Sequence, residues 1–141
     1  MSHNMQLIAE EFKDRTDFGI ASFSLDPEYD QPEILKQYAA DYGVTHPHWN
    51  FMTGDRKEIR DLSNTGFYLP AAEGNLEPKD LYHSGLFALV DKNGFIRSRK
   101  DKFGNPIIYY RGFIPAGGEE TADGETPQID ILIEDIKKLL D

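Results

Sequence analysis

The chain has 141 residues, 25 acidic against 15 basic side chains, a formal net charge of −10 and no cysteine. That balance argues against nucleic acid, whose phosphate backbone requires clustered Lys and Arg, and favours a cationic partner or a metal ion. The lack of cysteine excludes disulfides, thiolate ligands and a thiol nucleophile within the chain.

The length suits one domain, 1–141, and the Phe, Tyr, Ile, Leu and Val content supplies its core. MSHNMQLIAEEF carries neither the basic start nor the apolar stretch of a signal peptide. No apolar run approaches the roughly 20 residues that span a bilayer. Apolar residues at Met1, Met5, Ile8 and Phe12 predict a helix with no capping residue before it. FGIASFS, 18–24, predicts a strand buried on both faces. In LDPEYDQPEILKQYAADYG, Asp30 with Glu33 forms a capping box, Pro32 fits the first turn and Gly43 stops the helix. Its inward face is Ile34, Leu35, Tyr38 and Tyr42.

WNFMTGD predicts a short strand, followed by a helix over 55–65 with Ile59 and Leu62 inward. A loop rich in Pro, Gly and acidic residues covers 68–80. YHSGLFALVDKNGFI then reads as a hairpin, with Asn93-Gly94 supplying the positive φ angles of a tight turn. IIYYRG, 107–112, is a third strand or an extended insertion, and Ile129, Leu132, Ile133, Ile136, Leu139 and Leu140 line a final helix. The order of elements makes the class α/β. An α/β layer of this size would normally open with a strand, and none precedes the first helix.

The candidate sites each have a plain structural alternative. His83 stands before a buried strand, where an imidazole either binds a metal or caps a backbone group. His46 and His48 sit two apart and could chelate weakly, but a metal site wants three or four ligands, so a solvated loop is the expectation. His3 reads as a surface residue. Asp26 and Asp30 could pair as carboxylates, although Asp30 is already spent as a cap; Asp26 ends a strand, where ligands of open α/β sheets bind. The acidic loop of Glu119, Glu120, Asp123 and Glu125 lacks the pattern of a calcium loop. No phosphate loop, nucleophile elbow, zinc helix or catalytic triad is present.

SFSLDPEYDQPEILKQYAADYG, WNFMTGDRKEI and YHSGLFALVDKNGFI, in that order and followed by a C-terminal helix, resemble the Sco/SenC family. The resemblance implies a thioredoxin-like fold and an extracytoplasmic, membrane-anchored setting. It also implies a part in assembling the binuclear copper centre of cytochrome c oxidase, as copper carrier or thiol reductant, with the copper-centre subunit as partner. Copper would be held by a Cys-x-x-x-Cys pair and by the histidine that His83 matches, with Asp26 nearby to tune the site. The cysteine motif and the opening strand would precede Met1, so the fold is expected to be incomplete and copper binding weak. The missing strand would lie between FGIASFS and GLFALVD; unpaired edges there predict low stability, aggregation or a strand-exchanged homodimer. The rivals are a thioredoxin-like thiol-disulfide oxidoreductase or peroxidase, active only in a longer form with cysteines, and a cysteine-less interaction module.

Overall fold

The structure is a computed structural model that describes residues 1–69, 85–122 and 124–141. Its elements run α1 (Ser2–Glu11), β1 (Ile20–Phe23), α2 (Pro32–Asp41), β2 (Trp49–Met52), α3 (Arg56–Asp61) with a π-helical turn (Leu62–Gly66), β3 (Leu86–Val90), β4 (Ile96–Arg97), β5 (Tyr109–Arg111) and α4 (Ile129–Leu140). The chain forms two compact units: Met1–Phe12 with Gly85–Asp141, and Lys13–Ser84 between them in sequence. Among the described residues no helix is long and apolar enough to cross a membrane.

In the first unit, Ile8, Ala9 and Phe12 of α1 and its C-cap join Phe87, Tyr110, Ile114, Ile129, Leu132 and Ile136 as the buried core. Helix α1 begins at Met1 without a side-chain cap, as its sequence predicts. Two buried polar groups escape a reading based on apolar spacing. Asn4 donates from Nδ2 to the carbonyls of Gly112, at 2.9 Å, and Ile114, at 2.8 Å. Asp135, on the otherwise apolar face of α4, accepts Arg99 Nε at 2.8 Å, Arg99 Nη2 at 2.9 Å, Tyr110 Oη at 2.7 Å and Lys138 Nζ at 3.1 Å. Burial alone would raise the Asp135 carboxyl, but these donors outweigh it and hold the group at about 2. Burial, together with the hydrogen bond to Asp135, pushes the Tyr110 hydroxyl well above the usual phenol range.

Strand β3 is hydrogen-bonded to both β4 and β5. Leu89 faces Arg97 while its neighbour Ala88 faces Tyr109, so residues 98–108 are extruded between the two partner strands. The Gly85 carbonyl accepts from Gly112 N–H, and Asp91 N–H donates to the Phe95 carbonyl. Residues 85 and 91 share parity along a strand whose backbone groups alternate in direction. Both partners therefore follow one edge of β3 in succession. The groups of Ala88 and Val90 point to the other edge, where no strand lies among the described residues. Gly112 lacks a Cβ for a packing reason, since one built there would stand 2.4 Å from Phe87 Cζ.

The 91–95 turn differs from expectation. Only Gly94 has a positive φ, of 83°. Gly94 N–H donates to the Asp91 carbonyl, and Asp91 Oδ1 accepts the N–H groups of Asn93 and Phe95. This is a three-residue loop with a left-handed glycine at its bulge rather than the two-residue turn read from Asn93-Gly94.

In the second unit β1 and β2 pair in parallel, Ile20 opposite Trp49 through Phe23 opposite Met52. Ile20 N–H and Ser24 N–H donate to the carbonyls of His48 and Met52, so even-numbered residues face β2. Ala21 and Phe23 direct their backbone groups to the far edge, again without a strand among the described residues. β1 is not buried on both faces: Ala21 and Phe23 are exposed. Helix α2 stops at Gly43, φ 63°, as expected, but none of its residues is buried, and Ile34, Tyr38 and Tyr42 are exposed where an inward face was predicted. The helix predicted over 55–65 is a single α segment capped by Asp55, which accepts Glu58 N–H at 3.0 Å, followed by the π turn.

Candidate functional site

The parallel strands β1 and β2 both end at one corner of the second unit, which is where open α/β sheets bind ligands. After β1 the chain turns at Asp26-Pro27, and after β2 it runs through Thr53-Gly54 to the cap of α3. Asp26 N–H donates to Ser24 Oγ at 3.0 Å, and the Asp26 carbonyl accepts Tyr29 N–H and Asp30 N–H. Its half-buried carboxylate accepts Arg56 Nη2 at 3.1 Å, while the same guanidinium lies 3.4 Å from Glu28. Asp26 is thus a negative group whose Oδ1 is held by a cationic partner, which lowers its attraction for a second cation.

Asp30 does not cap α2. The cap position falls to Gln31, without a side-chain bond, and Pro32 opens the helix. Asp30 instead accepts the Ser24 hydroxyl, which competes with the capping geometry. Ser24 therefore couples the two aspartates, donating to Asp30 and accepting from Asp26. Arg56 is the residue that the sequence reading missed. It occupies the first helical position of α3, where a cation opposes the helix dipole, and that misfit is the signal that could have exposed it. At this corner Arg56 Nε and Thr53 Oγ1 are buried with no hydrogen-bond partner among the described residues.

Beside this corner an open groove of about 650 Å³ runs over the sheet between α2 and α3, lined by Phe23, Leu35, Ala39, Met52, Ile59 and Leu62. His46 is buried rather than solvated: its Nδ1 accepts His48 N–H at 3.1 Å and its ring meets Phe18 edge-on. One of its ring nitrogens is thus spent on the backbone, and His48 is exposed. His3 is exposed as read. Glu125 of the acidic loop pairs with Arg111, whereas Asp123 lies outside the described residues. His83 also lies outside them. Among the described residues no three metal-ligating side chains converge.

The SCO1/SenC family model matches residues 1–111, a span that takes in the Asp26 corner and the hairpin strands. The chain belongs to the SCO1/SenC family. Among curated relatives of this SCO1/SenC chain, the SCO1 protein homolog of Bacillus subtilis is 35% identical over 79 residues, 55% of this chain and 40% of that protein. A SCO2-like protein of Rickettsia typhi is 32% identical over 74 residues, 50% of this chain and 35% of its own length. The chain thus matches well under half the length of these relatives. A SCO1/SenC family lipoprotein from Bacillus anthracis superposes with a TM-score of 0.72 at 23% identity, covering 99% of this chain and 71% of that one. BsSco, described with a disulfide switch and as a member of the Sco family of cytochrome c oxidase assembly proteins, gives 0.70 at 26% identity, covering 98% and 69%. The fold is α/β and thioredoxin-like.

Proposed function

We propose that this SCO1/SenC chain is a copper-binding assembly factor for the binuclear copper centre of cytochrome c oxidase, in a form that lacks the family's cysteine pair. The observation that carries this reading is the family match over residues 1–111, which includes both Asp26 and His83. His83 is the copper ligand and Asp26, held by Arg56, tunes the site electrostatically. Two thiolates and an imidazole suit copper(I), whereas an imidazole alone holds it weakly, so this chain binds copper weakly and has no dithiol redox activity. The partner in this reading is the copper-centre subunit of the oxidase, the setting is extracytoplasmic and membrane-anchored, and residues 1–141 act as one domain. The open edges at Ala21, Phe23, Ala88 and Val90 support a strand-exchanged homodimer as a further state, since unpaired strand edges template pairing with a second copy.

Competition of the chain against a chromophoric copper(I) chelator tests the reading. Weak one-site binding that His83→Ala abolishes, and that Asp26→Asn shifts by a few fold, is expected. Copper retention unchanged in His83→Ala would sink the assignment. The interaction-module reading is favoured by the apolar groove beside α2. Partner binding that survives both His83→Ala and chelation would select it.

A further inference from the structure

The first unit builds the same turn twice, ten residues apart. In Asp91-Lys92-Asn93-Gly94-Phe95, Asp91 Oδ1 accepts the N–H groups of residues 93 and 95, Gly94 N–H donates to the Asp91 carbonyl, and Asp91 N–H donates to the Phe95 carbonyl. In Asp101-Lys102-Phe103-Gly104-Asn105, Asp101 Oδ1 accepts Phe103 N–H at 2.8 Å and Asn105 N–H at 2.9 Å, and the two backbone bonds recur. Gly94 and Gly104 take left-handed φ values of 83° and 89°. Each tip is thus pinned by its own aspartate and needs nothing from the core to hold its shape.

What the tips present is unusual for this chain. Phe95 is 63% exposed and Phe103 77% exposed. Arg97 lies over the Phe95 ring at 5.8 Å and Lys102 over the Phe103 ring at 5.1 Å. Lys92, Lys100 and Lys102 are exposed and make no ion pair among the described residues. Residues 91–108 hold five basic and two acidic side chains, against ten basic and twenty-three acidic in the rest of the sequence; Arg97 pairs with Asp91 and Arg99 with Glu134 and Asp135, which leaves the three lysines as the open cations. The extruded segment is fixed at its neck: Ile107 N–H donates to the Arg99 carbonyl, and Ile108 N–H to Ser98 Oγ at 3.0 Å. Ile108 holds a φ of 63° there, a conformation that β-branched residues rarely adopt.

From these features we infer that the paired turns at Phe95 and Phe103, with Lys92, Arg97, Lys100 and Lys102, form a docking surface for an anionic lipid bilayer. Each ring enters the interface while the lysines meet the headgroups, the division of labour seen in interfacial segments. The acidic remainder of the chain does not prevent this, because charges farther than about 8–10 Å from the surface are screened at physiological salt. A bilayer fits better than an acidic protein. The two turns are separate, one leading into β4 and one closing the extruded segment, each with one exposed ring, whereas a stable protein interface wants a continuous patch of roughly 800 Å² per partner. A fluid surface accepts separated single-ring insertions. This inference does not depend on copper, on His83 or on the oxidase.

Co-sedimentation with vesicles of phosphatidylglycerol and phosphatidylcholine, against phosphatidylcholine alone, tests it. Binding to the anionic vesicles only is expected, falling about tenfold for Phe95→Ser with Phe103→Ser, and lost when Lys92, Lys100 and Lys102 become Glu. In a second variant, Phe103→Trp, emission should shift to the blue on adding anionic vesicles, a readout that folding defects do not mimic. No anionic preference, or no blue shift, overturns the proposal. So does binding that needs the lysines but is indifferent to both rings, since an acidic polypeptide would then be the fitting partner.

Discussion

The two units spend their apolar residues differently. Among the described residues, nine of the eleven buried apolar ones belong to the unit of Met1–Phe12 and Gly85–Asp141, and two, Ile20 and Trp49, to the other. The first unit also closes its buried polar groups: Asn4 satisfies two carbonyls and Asp135 gathers four hydrogen bonds. The second leaves Phe23, Ile34, Tyr38, Tyr42 and Met52 on its surface, and leaves Arg56 Nε and Thr53 Oγ1 without partners among the described residues. Satisfying buried polar atoms and excluding water from apolar ones are separate tasks.

Substitutions at matched depth sharpen that contrast. Tyr110→Ala removes the most buried large side chain and one of the four hydrogen bonds to Asp135, and should cost about 3–5 kcal/mol in denaturant unfolding. Asp135→Ala leaves Tyr110 without its acceptor and Arg99 with only Glu134 and the Ile131 carbonyl, and should cost about 3 kcal/mol, less than in a sealed core because Arg99 is part-exposed. Trp49, the one tryptophan, reports the second unit, while far-UV circular dichroism sums the helices of both units, with α1 and α4 the larger share among the described residues. Coincident midpoints in Asp135→Ala would break the contrast and make one cooperative domain; an earlier helical midpoint with an unmoved Trp49 transition would sharpen it.

Acid titration is the next probe. A carboxyl held at about 2 in the folded chain, against an ordinary unfolded value near 4, stabilises the fold above pH ~4, and that contribution is lost as pH falls from there through 2. Roughly 2 kcal/mol should disappear over that window in the parent chain and not in Asp135→Asn. Tyr110 has the opposite sign: its raised hydroxyl contributes below pH ~10 and loses that contribution on further alkalinisation. Asn4→Ala should cost about 1–3 kcal/mol by leaving two carbonyls without a donor. At the far end of the scale, Tyr38→Ala, which loses ring contacts with Tyr42 and Phe51 but no sealed core, should change stability by about 0.5–1.5 kcal/mol. A loss above 2 kcal/mol there would show that α2 is covered in solution.

Much of the fold is legible in the sequence because it is written in spacing. The 129–140 helix, the 86–90 strand, the strand within 18–24 and the stop at Gly43 all follow from local pattern. What resists reading is polar and distant. Nothing near Asn4 in sequence shows that its acceptors lie at 112 and 114, or near Asp135 that Arg99 and Tyr110 would converge on it. Asp30 shows two local motifs in competition, a cap and a strand-end hydroxyl, and the hydroxyl wins. The exposed face of α2 repeats the lesson, for periodicity marks which residues share a side, not whether anything covers it. Of the candidate site, Asp26 was legible as a strand end and its partner Arg56 was not.

The Asn4 side chain finds its acceptors 108 and 110 residues along the chain. On a ribosome, therefore, helix α1 emerges long before its acceptors and cannot be locked until Gly112 and Ile114 have been made, while the whole described part of the second unit is already outside. Such long-range closure makes folding slow and its early species sticky. Nascent chains halted before residue 112 should thus engage chaperones through the bare apolar side of α1, and release them once the 109–114 segment clears the exit tunnel.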